Sequence, residues 1–220
     1  MHKTMLVLAT RNSGKSREIR SFLEGFPVEI LDLNDFGPIP EVVEDGATFE
    51  ENAYKKAQFT ARVLGFPALA DDSGLEVEAL NGAPGVHSAR YAGPHATDDE
   101  NNAKLLENLR GQGNRKARFC CILSLAVPSG PALTYEAYCE GTILDHPRGT
   151  SGFGYDPLFY HEPSGKTFGE MTLEEKSRVS HRGKALSELK REFDKVLKWL
   201  ELRMAEEEAM RRHECHDAKA

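Results

Sequence analysis

Cysteine is scarce, four residues in 220, and none has the spacing of a metal ligand set. Cys120 and Cys121 are adjacent inside an apolar run, while Cys139 and Cys215 stand alone. That pattern excludes a disulfide framework or zinc cluster and points to a reducing, cytoplasmic compartment. Long apolar runs are missing too. The apolar run in the N-terminal MHKTMLVLATRN is too short for a signal peptide or a membrane span, and no later run approaches the required length, so a soluble chain without a membrane partner is expected. Nor is there a surplus of basic residues: the formal charge is −7. This argues against a general nucleic-acid surface and leaves a polyphosphate ligand only where Lys and Arg cluster locally.

The length suits one domain, assigned to residues 1–203, followed by a charged tail over 204–220 that is expected to be a solvated helix end or disordered. HECH within the tail reads as a histidine-containing end rather than a metal site.

Met5–Ala9 has the pattern of a buried strand, and Ile19, Phe22, Leu23 and Phe26 recur at helical spacing. Thr10–Lys15, TRNSGK, is therefore a strand-to-helix loop. Its backbone N–H groups at a helix N-terminus, together with Lys15, suit a phosphate; a capped loop with an exposed lysine is the plainer alternative. Pro27–Leu33 is a second strand, and a Pro/Gly-punctuated connection then leads to Glu44 and Asp45. Thr48 and Glu51 have capping-box spacing, Phe49, Ala53, Ala57, Ala61 and Leu64 form an apolar stripe, and Gly65 ends the helix. Lys55 and Lys56 point around the other side, either solvated or with one of them facing a phosphate.

Pro67–Ala70 reads as a short strand running into an Asp71-Asp72-Ser73-Gly74 turn, with Leu75–Ala79 resuming as a half-buried strand or, alternatively, a short helix. Two carboxylates in one turn repel unless a cation lies beside them; Mg²⁺ is one candidate, and a solvated turn is the alternative. A glycine-rich loop carrying His87 and Arg90 follows. Thr97 and Glu100 then cap a helix with Leu105, Leu106 and Leu109 on its buried face, and Phe119–Val127 and Ala132–Glu140 read as a hairpin. The Gly/Pro-rich stretch Asp145–Phe159 displays Phe153, Gly154, Tyr155 and Asp156, and is either binding surface or connection. MTLEEKSRVSHRG reads as a basic turn with Lys176, Arg178, His181 and Arg182. From Lys184, Leu186, Leu189, Phe193, Val196, Leu197 and Leu200 define a long amphipathic helix.

An anion loop, paired acids, an aromatic loop and a basic turn have complementary chemistry, and together they suggest a nucleotide site on an α/β fold with a mixed sheet. Two rivals remain at this level, a noncatalytic nucleotide-binding module, against which carboxylates beside a phosphate cradle argue, and a P-loop NTPase or small kinase. Ala9–Ser16 differs from G-x-x-x-x-G-K-[ST] only at Ala9, whose methyl sits where a P-loop needs bare backbone.

Five blocks, TRNSGKSREI, EDGATFEENAYKKA, PALADDSGLEVEALNGAPGVHSARYAG, FGYDPLF and EEKSRVSHRGKAL, closely resemble the inosine triphosphate pyrophosphatase family over about Met5 to Leu200. The resemblance implies an elongated mixed β-sheet flanked by helices, with two lobes around a central substrate cleft. It further implies a homodimeric, Mg²⁺-dependent enzyme that cleaves ITP, dITP or XTP to the monophosphate and pyrophosphate. Thr10, Arg11, Asn12, Ser13, Gly14 and Lys15 would contact the triphosphate, and Lys56 would help to neutralise it. Glu44 and Asp72 would hold the metal, Asp72 would accept a proton from water, and Ser73 would touch substrate. Phe153, Gly154, Tyr155 and Asp156 would line the base pocket, completed by Lys176, His181 and Arg182. Asp71 matches the motif without a clear role, Arg11 occupies a variable place, and the tail lies outside the resemblance.

Overall fold

Ten consecutive residues, Ala68–Val77, form one strand, β3, where the sequence suggests two strands separated by a turn. A nonlocal ladder overrides the local Ser-Gly signal. β3 pairs antiparallel with β4 (Lys116–Ala126) without a break from Ala68 opposite Ala126 to Val77 opposite Ala117. Gly74 serves close approach rather than turning: a Cβ there would lie 2.5 Å from the Gly85 carbonyl oxygen and 2.6 Å from Ser88 Oγ. The Asp71-Asp72 pair accordingly sits in mid-strand, not at a strand end.

The computed structural model describes residues 3–40 and 42–217, with side chains at all of these except 211 and 213–217. Around β3 and β4 lie β1 (Thr4–Leu8), β2 (Val28–Asp32), β5 (Leu133–Ile143), β6 (Phe159–His161) and β7 (Lys166–Thr167), in the order β2-β1-β3-β4-β5-β6-β7. β1 is parallel to both β2 and β3, and every other pairing is antiparallel, so the sheet is mixed. The helices are α1 (Ser13–Phe22), α2 (Phe49–Leu64), α3 (Asp98–Asn108), α4 (Leu173–Val179) and α5 (His181–Asp217). The region expected to be a basic turn is thus α4 and the first turn of α5. α4 opens on a capping box of Thr172 and Glu175. α5 carries the chain beyond Leu202 as helix; the side chains of HECH lie outside the described residues.

Alternation along the strands sorts the helices. Leu69 of β3 joins Leu6, Leu8, Leu123 and Leu125 on the face covered by α1 and α5 through Ile19, Leu23, Leu186, Leu189 and Phe193. Ala68 and Ala70 join Val7 and Ala126 on the opposite face, where Ala57 and Ala61 let α2 pack closely. At the far end of the sheet Leu75, Leu105, Phe119, Ile143, Phe159 and Phe168 form the core of a second lobe. Each such Leu or Phe contributes about 1.5–3 kcal/mol by leaving water. α2 is closed at both ends as the sequence predicts. Thr48 Oγ1 accepts from the Glu51 N–H, and Gly65 adopts φ +75° while its N–H caps the Ala61 carbonyl. Glu51 reaches back one residue further than a capping box requires, to the Ala47 N–H. Cys120, Cys121 and Cys139 are buried free thiols, burial pushing Cys120 up to about 12 and Cys139 to about 11. Among the described residues no helix is long and apolar enough to cross a membrane.

The cleft between the lobes has a topological origin. β1 pairs with β3 only at Val7–Ala68 and Leu8–Leu69, the Ala9 N–H closes this edge on the Leu69 carbonyl, and the chain then departs into the 10–12 loop. Beyond Leu69 that edge of β3 has, among the described residues, no strand beside it, and it is met again only where the Leu75 N–H donates to Ser88 Oγ and the Val77 N–H to the Ala83 carbonyl. The next carbonyl on it belongs to Asp71, at the carboxyl end of β1, where open sheets form their crevices.

Candidate active site

Adjacent residues of a strand face opposite ways, so Asp71 and Asp72 diverge. Asp72 points toward α2, where Lys56 Nζ lies 2.5 Å from its Oδ1 and 3.6 Å from Glu44 Oε2. Lys56 also donates to the Asp71 carbonyl at 3.1 Å, as Lys15 does at 3.1 Å. Lys56 is therefore the member of the lysine pair turned into the cleft. Lys55 makes an exposed pair with Asp45 at 2.7 Å.

Asp71 points toward α5. Arg182 Nε donates to its Oδ2 at 2.7 Å, Lys15 Nζ lies 2.5 Å from Oδ1, and Ser73 Oγ donates to Oδ1 at 2.8 Å. Arg182 Nη1 continues to Glu18 Oε2 at 2.6 Å. Lys176 then bridges Glu18 at 3.1 Å and Asp156 at 2.6 Å. Lys15, Asp71, Arg182, Glu18, Lys176 and Asp156 thus form a chain of alternating charge, buried except for the half-buried Lys15 at its cleft end, whose side chain is 16% exposed.

Burial pushes both adjacent carboxyls up, but their partners produce opposite outcomes. Arg182 and then Lys15 overcome burial at Asp71 and hold it well below the ordinary value. At Asp72 burial prevails over Lys56 and Lys15, and the carboxyl is raised. Burial pulls Lys56 down while Asp72 and Glu44 outweigh it, so the ammonium stays charged. One carboxylate is a fixed anion and its neighbour is the more basic group, the separation that assigns acid and base roles in a site.

The stretch expected to be a loop over Thr10–Lys15 is a loop only over 10–12, because Asn12 caps α1 and Ser13, Gly14 and Lys15 form its first turn. The Asn12 N–H donates to Thr10 Oγ1 at 3.1 Å, and Asn12 Oδ1 caps α1 by accepting from the Lys15 N–H at 3.0 Å. Arg11 Nη1 donates to the Leu33 carbonyl at 2.8 Å. Phe153 lies over Gly14, where a Cβ would be 2.7 Å from its ring, and its face is 4.7 Å from Lys176 Nζ and 5.5 Å from the Arg182 guanidinium. α3 clamps the next peptide: the Gly154 N–H donates to Asp98 Oδ2 at 2.7 Å, and its carbonyl accepts from Asn102 Nδ2 at 3.0 Å. Tyr155 is buried with its hydroxyl donating to the Ser88 carbonyl at 2.8 Å. His181 stacks on Phe119 at 4.6 Å, and its Nδ1 has no hydrogen-bond partner among the described residues. Burial, then Arg182 and Lys176, hold His181 well below the ordinary histidine value, so its ring is neutral.

Two cavities meet here. Thr10, Lys15, Glu44, Lys56, Asp72 and Arg90 line one of ≈ 340 Å³. Phe153, Tyr155, Asp156, Lys176, His181 and Arg182 line one of ≈ 130 Å³, and the two share Asn12, Lys15, Ser73 and Ala89. Ser13 and Gly14 line neither of these but an adjoining hollow of ≈ 620 Å³, which shares Asn12, Phe153 and Lys176 with the smaller cavity and Arg11 and Asn12 with the larger. The other residues that the sequence nominates converge on the paired cavities. Glu18, Asp98 and Asn102 were not legible in the sequence, although three cations, Lys15, Lys176 and Arg182, outnumber Asp71 and Asp156 and require a third carboxylate. Among the described residues there is no cluster of three or more metal-ligating side chains. Glu44 and Asp72, turned toward one cation, are a two-carboxylate set of the kind that suits Mg²⁺, which retains several waters and binds substrate phosphates.

The family model described as the Ham1 family matches residues 6–192. A dITP/XTP pyrophosphatase of Syntrophobacter fumaroxidans is 73% identical over 99% of this chain and 93% of its own length. Another of that name, from Desulfotalea psychrophila, is 61% identical over 92% of this chain and 91% of its own. A HAM1 protein from Coxiella burnetii superposes with a TM-score of 0.80 at 41% identity, covering 87% of this chain and 99% of that one. The Ham1 protein of Staphylococcus aureus gives 0.78 at 38% identity, covering 87% and 98%.

Proposed function

The chain belongs to the Ham1 family, and from that premise we propose that it hydrolyses deaminated purine nucleoside triphosphates, ITP, dITP and XTP, to the monophosphate and pyrophosphate. The carrying observation is the divergence of Asp71 and Asp72: a fixed anion holds the cationic frame, and a more basic carboxylate faces Lys56 and Glu44 in a cavity continuous with an aromatic one.

In this reading the base enters the smaller cavity and the phosphates run past Asn12, Lys15 and Ser73 into the larger. Phe153 stacks on the base, worth about 1–3 kcal/mol without choosing among purines. Choice comes from polarity. Arg182 lines the smaller cavity, three of its five N–H groups engage Asp71 and Glu18, and in this reading the other two serve the base. They match the six-position oxygen of hypoxanthine or xanthine and leave the adenine amino group opposed by donors, a mismatch on the order of 10⁴ in discrimination.

Water forms the new bond to the α-phosphorus as the bond to the bridging oxygen breaks, and that electron pair leaves with pyrophosphate. Asp72, which faces Lys56 in the larger cavity, orients the water and accepts its proton. Lys56 and Lys15 supply fixed positive charge at the phosphates, where charge develops. Glu44 and Asp72 are the residues that would hold Mg²⁺, which when bound neutralises phosphate oxygens. A cytoplasmic homodimer is part of the same proposal, and light scattering checks the assembly.

The test is hydrolysis of dITP, XTP, ITP, ATP and GTP with Mg²⁺, separating pyrophosphate from orthophosphate. Pyrophosphate from the first three, with ATP and GTP nearly untouched, is the expected result. Orthophosphate from ATP would replace this reading with that of a P-loop enzyme.

A further inference from the structure

Arg90 ends the short 3-10 turn Gly85–Arg90 and lines the ≈ 340 Å³ cavity with Thr10, Lys56 and Asp72. The lysines of that cavity are already matched: Lys15 faces Asp71, and Lys56 faces Asp72 and Glu44. Arg90 is different. Its Nη2 donates to the Glu44 backbone carbonyl at 3.2 Å, and among the described residues it has no carboxylate partner. A guanidinium offers five N–H donors in a planar fork, so anchoring through one leaves the rest of the fork and a full charge available.

Its position says which part of a substrate it would meet. The cavities share Asn12, Lys15, Ser73 and Ala89, whereas Glu44, Lys56, Asp72 and Arg90 line only the larger. A nucleotide with its base in the smaller cavity passes the shared neck first and reaches Arg90 with its outer phosphates.

We propose that Arg90 binds the outer phosphates of the triphosphate, donating to oxygens of the departing pyrophosphate while Nη2 holds the Glu44 backbone in place. The inference rests on the pyrophosphatase reading above and adds to it a residue that touches substrate. As the bond at the α-phosphorus breaks, its electron pair collects on the pyrophosphate oxygen, and a fixed guanidinium stabilises that charge without reorganising. Arg suits the task because its fork takes two phosphate oxygens at once, which a lysine ammonium does not.

The experiment is calorimetric titration of inorganic pyrophosphate and tripolyphosphate into the wild type, Arg90→Gln and Arg90→Lys in EDTA, with inosine monophosphate as control. Arg90→Gln is expected to weaken both polyphosphates by about tenfold or more, as for loss of a hydrogen bond to a charged group, with Arg90→Lys intermediate. The monophosphate should bind all three proteins alike. An arginine that only positioned Glu44 would leave metal-free polyphosphate affinity intact. Equal affinity in wild type and Arg90→Gln, or an equal loss for the monophosphate, overturns the proposal, as does a wild type that binds no polyphosphate. Should Arg90→Gln not fold, the same comparison with Arg90→Lys decides. Orthophosphate release by the wild type would instead count against the pyrophosphatase reading and leave the titration contrast to be judged separately.

Discussion

Arg182 and Asp71, 111 positions apart in the sequence, meet as a buried pair with Nε 2.7 Å from Oδ2. The contact ties the first turn of α5 to the middle of β3. Through Glu18 it also brings in α1, so the helix that follows the 10–12 loop and the helix behind the aromatic cavity share one electrostatic frame.

Glu18→Gln tests that frame. It leaves Lys176 and Arg182 buried with one carboxylate fewer, and removing one partner of a buried ionic set costs about 3–5 kcal/mol. Urea unfolding should show a loss of that order; a change under about 1 kcal/mol would mean that the two cations are satisfied without Glu18.

The neighbouring aspartates should separate in their effects. Asp72→Asn is expected to lower kcat by about 10²–10⁴, the range for a lost general base, with a near-native melting temperature. Asp71→Asn should lower the melting temperature as well, because Arg182 loses its closest anion. Near-normal turnover by a folded Asp72→Asn variant would remove the role given to that residue.

The lysine pair offers an internal control. Lys56→Met should reduce kcat/KM by at least about 10², since preorganised charge at the reacting group is lost. Lys55→Met should leave it nearly unchanged, and equal losses would contradict the geometry.

His181 predicts an acid limb in stability. Burial, Arg182 and Lys176 depress its folded pKa well below the ordinary value of 6.5. The unfolded state therefore takes up the proton first, so the stabilisation is complete above about pH 6.5 and declines as pH falls below it. Melting temperatures between about pH 8 and 5 should fall on the acid side and fall less in His181→Gln. His161, also depressed by burial and then by Lys184, retains a smaller dependence of the same sign.

Much of this was legible in the residues themselves. The apolar run of β1, the Thr48 and Gly65 signals around α2 and the β4–β5 hairpin are local patterns, and local physics decides them. Ser73-Gly74 misled because a turn signal is local while the ladder to β4 is not. Lys56 was hard to assign because a helical position beside a buried alanine stripe suits either a solvated or an inward-reaching lysine, and only Asp72 across the cleft decides. Glu18 was missed because a glutamate two residues after Ser16 on a helix looks solvent-facing until Arg182 and Lys176 arrive from the other end of the chain.

The pleat of β3 carries a constraint that no single side chain expresses. The roles of Asp71 and Asp72 are assigned by odd and even position along the strand, so parity separates the anion that holds the scaffold from the carboxylate facing the cleft. A one-residue slip of β3 against β4 would preserve every residue type and exchange the two sides. The uninterrupted pairing from Ala68 to Val77 is therefore also a timing mark for chemistry, keeping count between Leu69 and Gly74 so that the right acid arrives on the right face.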